Sequence, residues 1–113
     1  MLQFNKNIIA VNGNEIELPH TIIDATEVGD NICVIFDYME FNVNSAASNL
    51  QCIDYSGSVV WVAENPTNQN TDAYTNFIIS SSSESYITVG NFVGCNCKIN
   101  VTTGKLIQAA LVR

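Results

Sequence analysis

Only four lysines and arginines stand against eleven aspartates and glutamates in this 113-residue chain, for a formal net charge of −7. A chain so poor in cations lacks the clustered basic surface that a phosphate backbone requires, and anionic membrane surfaces repel it. Nucleic acid and membranes are therefore not expected partners. No apolar run approaches the roughly 18 residues of a membrane span, and the start, Met1 to Lys6, turns polar within a few residues, unlike a secretory signal. The expected compartment is the cytoplasm, where the four cysteines stay reduced. Gly-rich phosphate loops, Ser-centred elbows and an Asp-x-Asp-x-Asp-Gly calcium loop are missing. No stretch sustains the 3.6-residue apolar period of a long helix.

What the chain has is strand and turn chemistry. Val, Ile and Thr together number 32, and branching at Cβ favours strands. Asn occurs 15 times and Gly 6 times, and both tolerate the positive φ of hairpin turns. The expectation is an all-β, antiparallel domain spanning 1–113, with about eight to ten strands and very little helix. Leu2 to Val11 reads as one strand or two short ones, and Asn12-Gly13 is a type I′ hairpin signal. Asn14 to Leu18 returns by alternation, and Pro19 ends this N-terminal hairpin, residues 1–19.

Thr21 to Val28 is the next strand. Ile32 to Phe36 is a continuous apolar run, as expected of a strand buried on both faces. Asp37 to Ser48 reads as a long polar loop and candidate surface, with room for one helical turn at Ala46-Ala47. Strands follow near 49–54 and 58–63. Beyond the polar connector Glu64 to Asp72 come Tyr74 to Ser80, Tyr86 to Val89, a bend between Gly90 and Gly94, and a closing hairpin that ends on Leu106 to Val112. Two stretches share one form: Asn49 to Trp61 and Asn96 to Gln108 each run strand, glycine turn, strand, with Gly57 and Gly104 47 residues apart. The repeat divides the chain into a first unit, 20–64, and a second, 73–112.

The segments Ile53-Asp54 to Trp61 and Ile99-Asn100 to Ile107 resemble the pyrroloquinoline-quinone-type β-propeller repeat. In that repeat a strand ends on a small polar residue, a Thr-Gly or Ser-Gly turn follows, and Lys and aliphatic residues open the last strand, often with Trp near its middle. The chain also looks like small, uncharacterised bacterial proteins built from a β N-terminus and two such hairpins. The resemblance implies two propeller-blade-like units plus the N-terminal hairpin. A closed propeller takes about four to eight blades, so two units do not close one. The family's quinone and metal ligands have no counterpart, and no cofactor is carried over.

Cys95 and Cys97 are the candidate metal ligands, since alternation puts both on one strand face, with Cys33 and Cys52 in reach if the sheets stack. Structural zinc sites use cysteines with roughly two to four residues between them in turns, whereas Cys95 and Cys97 have one, and buried free cysteines pack as small apolar groups. The expectation is no metal, with Cys33 and Cys52 buried and reduced. His20 lacks a local nucleophile and reads as an exposed loop residue. Asp24, Asp37, Asp54 and Glu40 are acid–base candidates only if geometry gathers them. Asp54 and Asn100 suit capping of the turns that follow them. Asp30-Asn31, Asp37 to Glu40 and Asp72 offer oxygen ligands without a calcium-loop pattern. Trp61 is expected between the two units, while Tyr38, Phe41 and Tyr55 lie near loops. No catalytic set results.

The sequence therefore reads as a non-enzymatic, protein-binding or self-assembling β domain, expected as a homodimer. Its final strand, or the apolar face beside Trp61, would be in the contact. The alternatives are an acidic inhibitor or immunity protein masking a basic surface, and a cysteine-based metal-binding protein.

Overall fold

A computed structural model describes residues 2–41, 48–64, 73–78, 85–92 and 94–111. The fold is all-β, with eleven strands in three antiparallel sheets and no α-helix among the described residues. β1 (Gln3–Asn5), β2 (Ile8–Val11) and β3 (Asn14–Glu17) form the N-terminal sheet in that order. Leu2 to Val11 is thus two strands, because Lys6 sits at φ 55° and turns the chain between them. Asn12 and Gly13, at φ 51° and 79°, make the predicted hairpin turn.

The middle sheet runs β4 (Ile22–Val28), β5 (Asn31–Phe36), β6 (Leu50–Ile53), β7 (Val59–Val62). The C-terminal sheet runs β8 (Tyr74–Phe77), β9 (Tyr86–Asn91), β10 (Cys95–Asn100), β11 (Leu106–Leu111). Both four-stranded sheets therefore have the same strand order. A short 3-10 turn, Tyr38–Glu40, follows β5 and is capped by the Asp37 carboxylate on Met39 N–H at 3.0 Å. The helical turn expected at Ala46-Ala47 lies outside the described residues.

The sheets stack in chain order, and β5 shows why. Its alternate residues Ile32, Val34 and Phe36 join Ile9, Val11 and Ile16 of the N-terminal sheet, and Leu18 just beyond it, in one apolar layer. The intervening Cys33 and Ile35 join Trp61, Tyr74, Phe77, Ile87, Val89, Cys97 and Ile99 in the other. A strand with apolar residues at both parities can only be buried on both faces. The first strands of the sheets also meet, with β4 against both β1 and β8.

Two side chains fix the spacing between layers. Ile16 on β3 lies over Gly57, where an added Cβ would stand 3.0 Å from its Cγ2. Trp61 on β7 lies over Gly104, where a Cβ would stand 2.5 Å from the indole Cε3. The Trp61 Nε1–H donates to the Val101 carbonyl at 2.9 Å. Each sheet's last strand thus sets a side chain on the hairpin glycine of the next sheet. Trp61 sits between the units, as predicted, with 7% of its surface exposed.

Candidate functional site

The residue types that carry chemistry are bound one by one to backbone groups. Asp24 lies at an irregularity in β4. Its Oδ1 accepts from Ala25 N–H and its Oδ2 from Phe77 N–H of the C-terminal sheet, both at 2.9 Å. Asp54 accepts from Ser56 N–H at 2.9 Å, Ser58 N–H at 3.0 Å and the Ser56 hydroxyl at 2.6 Å. Asn100 does the same work in the second hairpin, accepting from Thr102 and Thr103 N–H at 2.8 and 3.1 Å. Both turn caps match the sequence reading.

The Ser56 hydroxyl first, then the Ser58 amide, hold the Asp54 carboxyl below its ordinary range. A depressed carboxyl contributes stability above its unfolded pKa and loses it as pH falls through the folded value. Replacing Asp54 by Asn keeps an acceptor but removes the titration. We therefore expect the Asp54→Asn variant to lose less melting temperature than the parent as pH falls below about 4. Melting curves from neutral to acid pH check this, and parallel curves for the two proteins would refute it.

His20 is half-buried rather than a free loop residue. It stacks on Phe41 (ring centroids 4.6 Å apart) and packs edge-on to Phe36 (5.4 Å), while its Nδ1 lies 3.4 Å from Glu40. Hydrogen bonds from Thr21, then from His20, hold the Glu40 carboxyl below its usual range. The group pins the 3-10 turn to the start of β4. Tyr38 meets Phe92 edge-on at 4.5 Å, and the Tyr55 hydroxyl donates to Glu27 at 3.2 Å. Asp30, at the β4–β5 turn, is exposed, and Asp72 lies outside the described residues.

The four cysteines share the layer between the middle and C-terminal sheets. Cys33 faces Cys52 across the β5–β6 ladder, and Cys97 is buried beside the half-buried Cys95. The Cys52 side chain and burial push the Cys33 thiol up from its ordinary range, the direction of an inert thiol. Among the described residues no three His, Cys, Asp or Glu side chains converge as a metal site.

Sequence reasoning missed two polar side chains that tie the sheets together. Asn49 is fully buried; its amide donates to the carbonyls of Phe36 (2.9 Å) and Tyr74 (2.8 Å) and accepts from Tyr74 N–H at 3.1 Å. Glu64 Oε1 accepts from Leu106 N–H at 2.9 Å, and its own N–H donates to the Gly104 carbonyl at 3.2 Å. Asparagine directly before an apolar strand was the available signal for the first.

What remains as a candidate site is surface at the ends of the stack. Gln3, Ala10 and Glu15 are cross-strand neighbours, as are Asn5, Ile8 and Glu17. These two rows face away from the middle sheet, and Ile8 and Ala10 among them are half-buried. A shallow hollow lies there, lined by Gln3, Ala10, Glu15 and the Asn12-Gly13-Asn14 turn. At the other end β11 exposes Ile107, Gln108, Ala109 and Ala110. At the other expected contact surface, Trp61 itself is covered by the C-terminal sheet, while Val59, Val60 and Val62 of β7 are exposed.

Fold and surface together define an all-β domain of three stacked antiparallel sheets whose polar side chains serve its own backbone. Residues 1–111 match the model of a domain of unknown function, DUF7957, and the chain belongs to that family. Comparison with curated proteins and with solved structures gives no match.

Proposed function

We propose that this domain is non-enzymatic and acts by contacting protein, through the outward face of its N-terminal sheet. One observation carries the reading. Both faces of β5 at the centre of the middle sheet lie under apolar layers, whereas the outward face of β1–β3 has none over it among the described residues. It nevertheless holds the half-buried Ile8 and Ala10 beside a hollow. Partly apolar sheet faces of this kind mark contact sites. The dispersal of Asp24, Asp37, Asp54 and Glu40, each on a backbone N–H, supports a binding role over acid–base catalysis.

Sedimentation velocity across a wide concentration range tests the reading. The native chain is expected to associate. An Ala10→Arg variant, which places a charge on that face, is expected to remain folded by circular dichroism and lose the association. A native chain that stays monomeric throughout, or a variant that associates like the parent, overturns it.

A further inference from the structure

The contact between sheets is built the same way twice, and the third instance is left half-made at each end of the chain. At the first boundary β3 sets Ile16 on Gly57, and at the second β7 sets Trp61 on Gly104. The N-terminal sheet has its own hairpin glycine, Gly13, at φ 79°, and a Cβ there would meet nothing within 4 Å. Its turn lines the hollow on the outward face. The C-terminal sheet has a last strand, β11, with Gln108 four residues after Gly104, as Trp61 is four residues after Gly57. Gln108 pairs with Lys98 across β10–β11, as Trp61 pairs with Cys52 across β6–β7. Cys97 and Ile99 face the middle sheet, so Lys98 and Gln108 face away from it. The stack therefore ends in a vacant glycine seat at one side and an unseated docking strand at the other.

We propose that these two ends belong to each other in different copies of the chain: the outward face of β10–β11 docks on the outward face of β1–β3 of a second copy, head to tail. Charge agrees with the geometry. Lys98, held over the Tyr86 ring at 4.7 Å, is on the donating face, while the exposed Glu15 and Glu17 are on the receiving face. The internal boundary predicts which of them meet. Lys98 takes the place that Cys52 has in the middle sheet. Glu15 is two residues past Gly13, as Leu106 is past Gly104, and Cys52 and Leu106 lie in one apolar cluster. A head-to-tail contact runs on as an open fibre unless the rotation closes it. Two chains of three sheets each, docked at both ends, make a ring of six, within the range of about four to eight that closed radial arrays of sheets adopt. The expected particle is thus a two-fold dimer built from two identical but non-self-complementary contacts, unlike a patch meeting itself.

This inference rests on the protein-contact reading above, and charge exchange separates the two. Glu15→Lys and Lys98→Glu are made singly in the full 113-residue chain. Each puts like charges at both contacts of its own dimer, and each is expected to weaken association at least about tenfold while the fold is retained by circular dichroism. Mixed in equal amounts, they form a pair in which both contacts join opposite charges. Light scattering is expected to show the dimer mass return in the mixture, and in the double variant alone. If Glu15→Lys weakens association but Lys98→Glu does not, the N-terminal face is the contact and the head-to-tail pairing is wrong. If neither matters, or the mixture stays monomeric, the proposal also fails. A native chain that is monomeric at every concentration overturns both readings.

Discussion

Replacing Asn49 by Leu is expected to lower stability by about 3 kcal/mol, because each buried polar group that loses its partner costs roughly 1–3 kcal/mol. The leucine fills a similar volume, but the Phe36 and Tyr74 carbonyls lose a donor, and the Tyr74 amide loses its acceptor. These bonds join β5 to β8 across the sheet boundary at a site with no exposed surface. For a domain of this size the melting temperature should fall by roughly 12 °C. Gln51→Ala provides the contrast, since the Gln51 amide reaches only the exposed Ser48 carbonyl at 3.3 Å, and its loss should stay within about 0.5 kcal/mol. Denaturant titration of the pair measures the difference. Equal midpoints would show that Asn49 does not clamp the sheets.

The second large effect is at the Trp61–Gly104 seat. Truncating Trp61 to Ala should cost about 3–5 kcal/mol, the range for deleting a buried aromatic side chain. Gly104→Ala should cost nearly as much, about 3 kcal/mol, for two separable reasons. The backbone there is left-handed, at φ 76°, which costs an L-residue roughly 1–2 kcal/mol. The new methyl would stand 2.5 Å from the indole, and displacing a packed ring adds roughly 1–3 kcal/mol. Gly94→Ala isolates the first term, because φ is 95° and a Cβ there meets nothing within 4 Å. In a Trp61→Ala background the cost of Gly104→Ala should drop to that of Gly94→Ala, a coupling that a double-mutant cycle resolves. Additive costs would mean that the ring and the glycine do not constrain each other.

The fold was largely legible in the sequence, because local chemistry and pattern agree there. Asn12-Gly13, Asp54 and Asn100 announce their turns by φ and by capping. The unbroken apolar run Ile32 to Phe36 announces a strand covered twice. Lys6 was illegible, since a left-handed lysine leaves no compositional trace, and so the division of β1 from β2 was left open. The site reading shows where pattern stops. Alternation correctly placed Cys95 and Cys97 on one face, but whether that face meets solvent or another sheet depends on stacking. Asp24 read as a possible acid, yet its carboxylate reaches Phe77, 53 residues away in sequence, and that distance is folded rather than written. The docking seats were hidden for the same reason. Gly57 and Gly104 were visible as turns, but the side chains that rest on them come from the preceding sheet.

The serial order of the sheets bears on how the chain is made. Every sheet is closed by strands consecutive in sequence, so no strand waits for a partner made much later. A ribosome releases the chain N-terminus first, at roughly 5–20 residues per second. The N-terminal sheet emerges with Ile9, Val11 and Ile16 bare on one side, and the next segment to leave the tunnel carries the strand that covers them. That strand arrives with Cys33 and Ile35 bare on its far side, awaiting β8 to β11. The nascent chain would thus carry one sticky surface at a time, handed forward as translation proceeds, with the longest exposure falling between completion of β7 and arrival of β10.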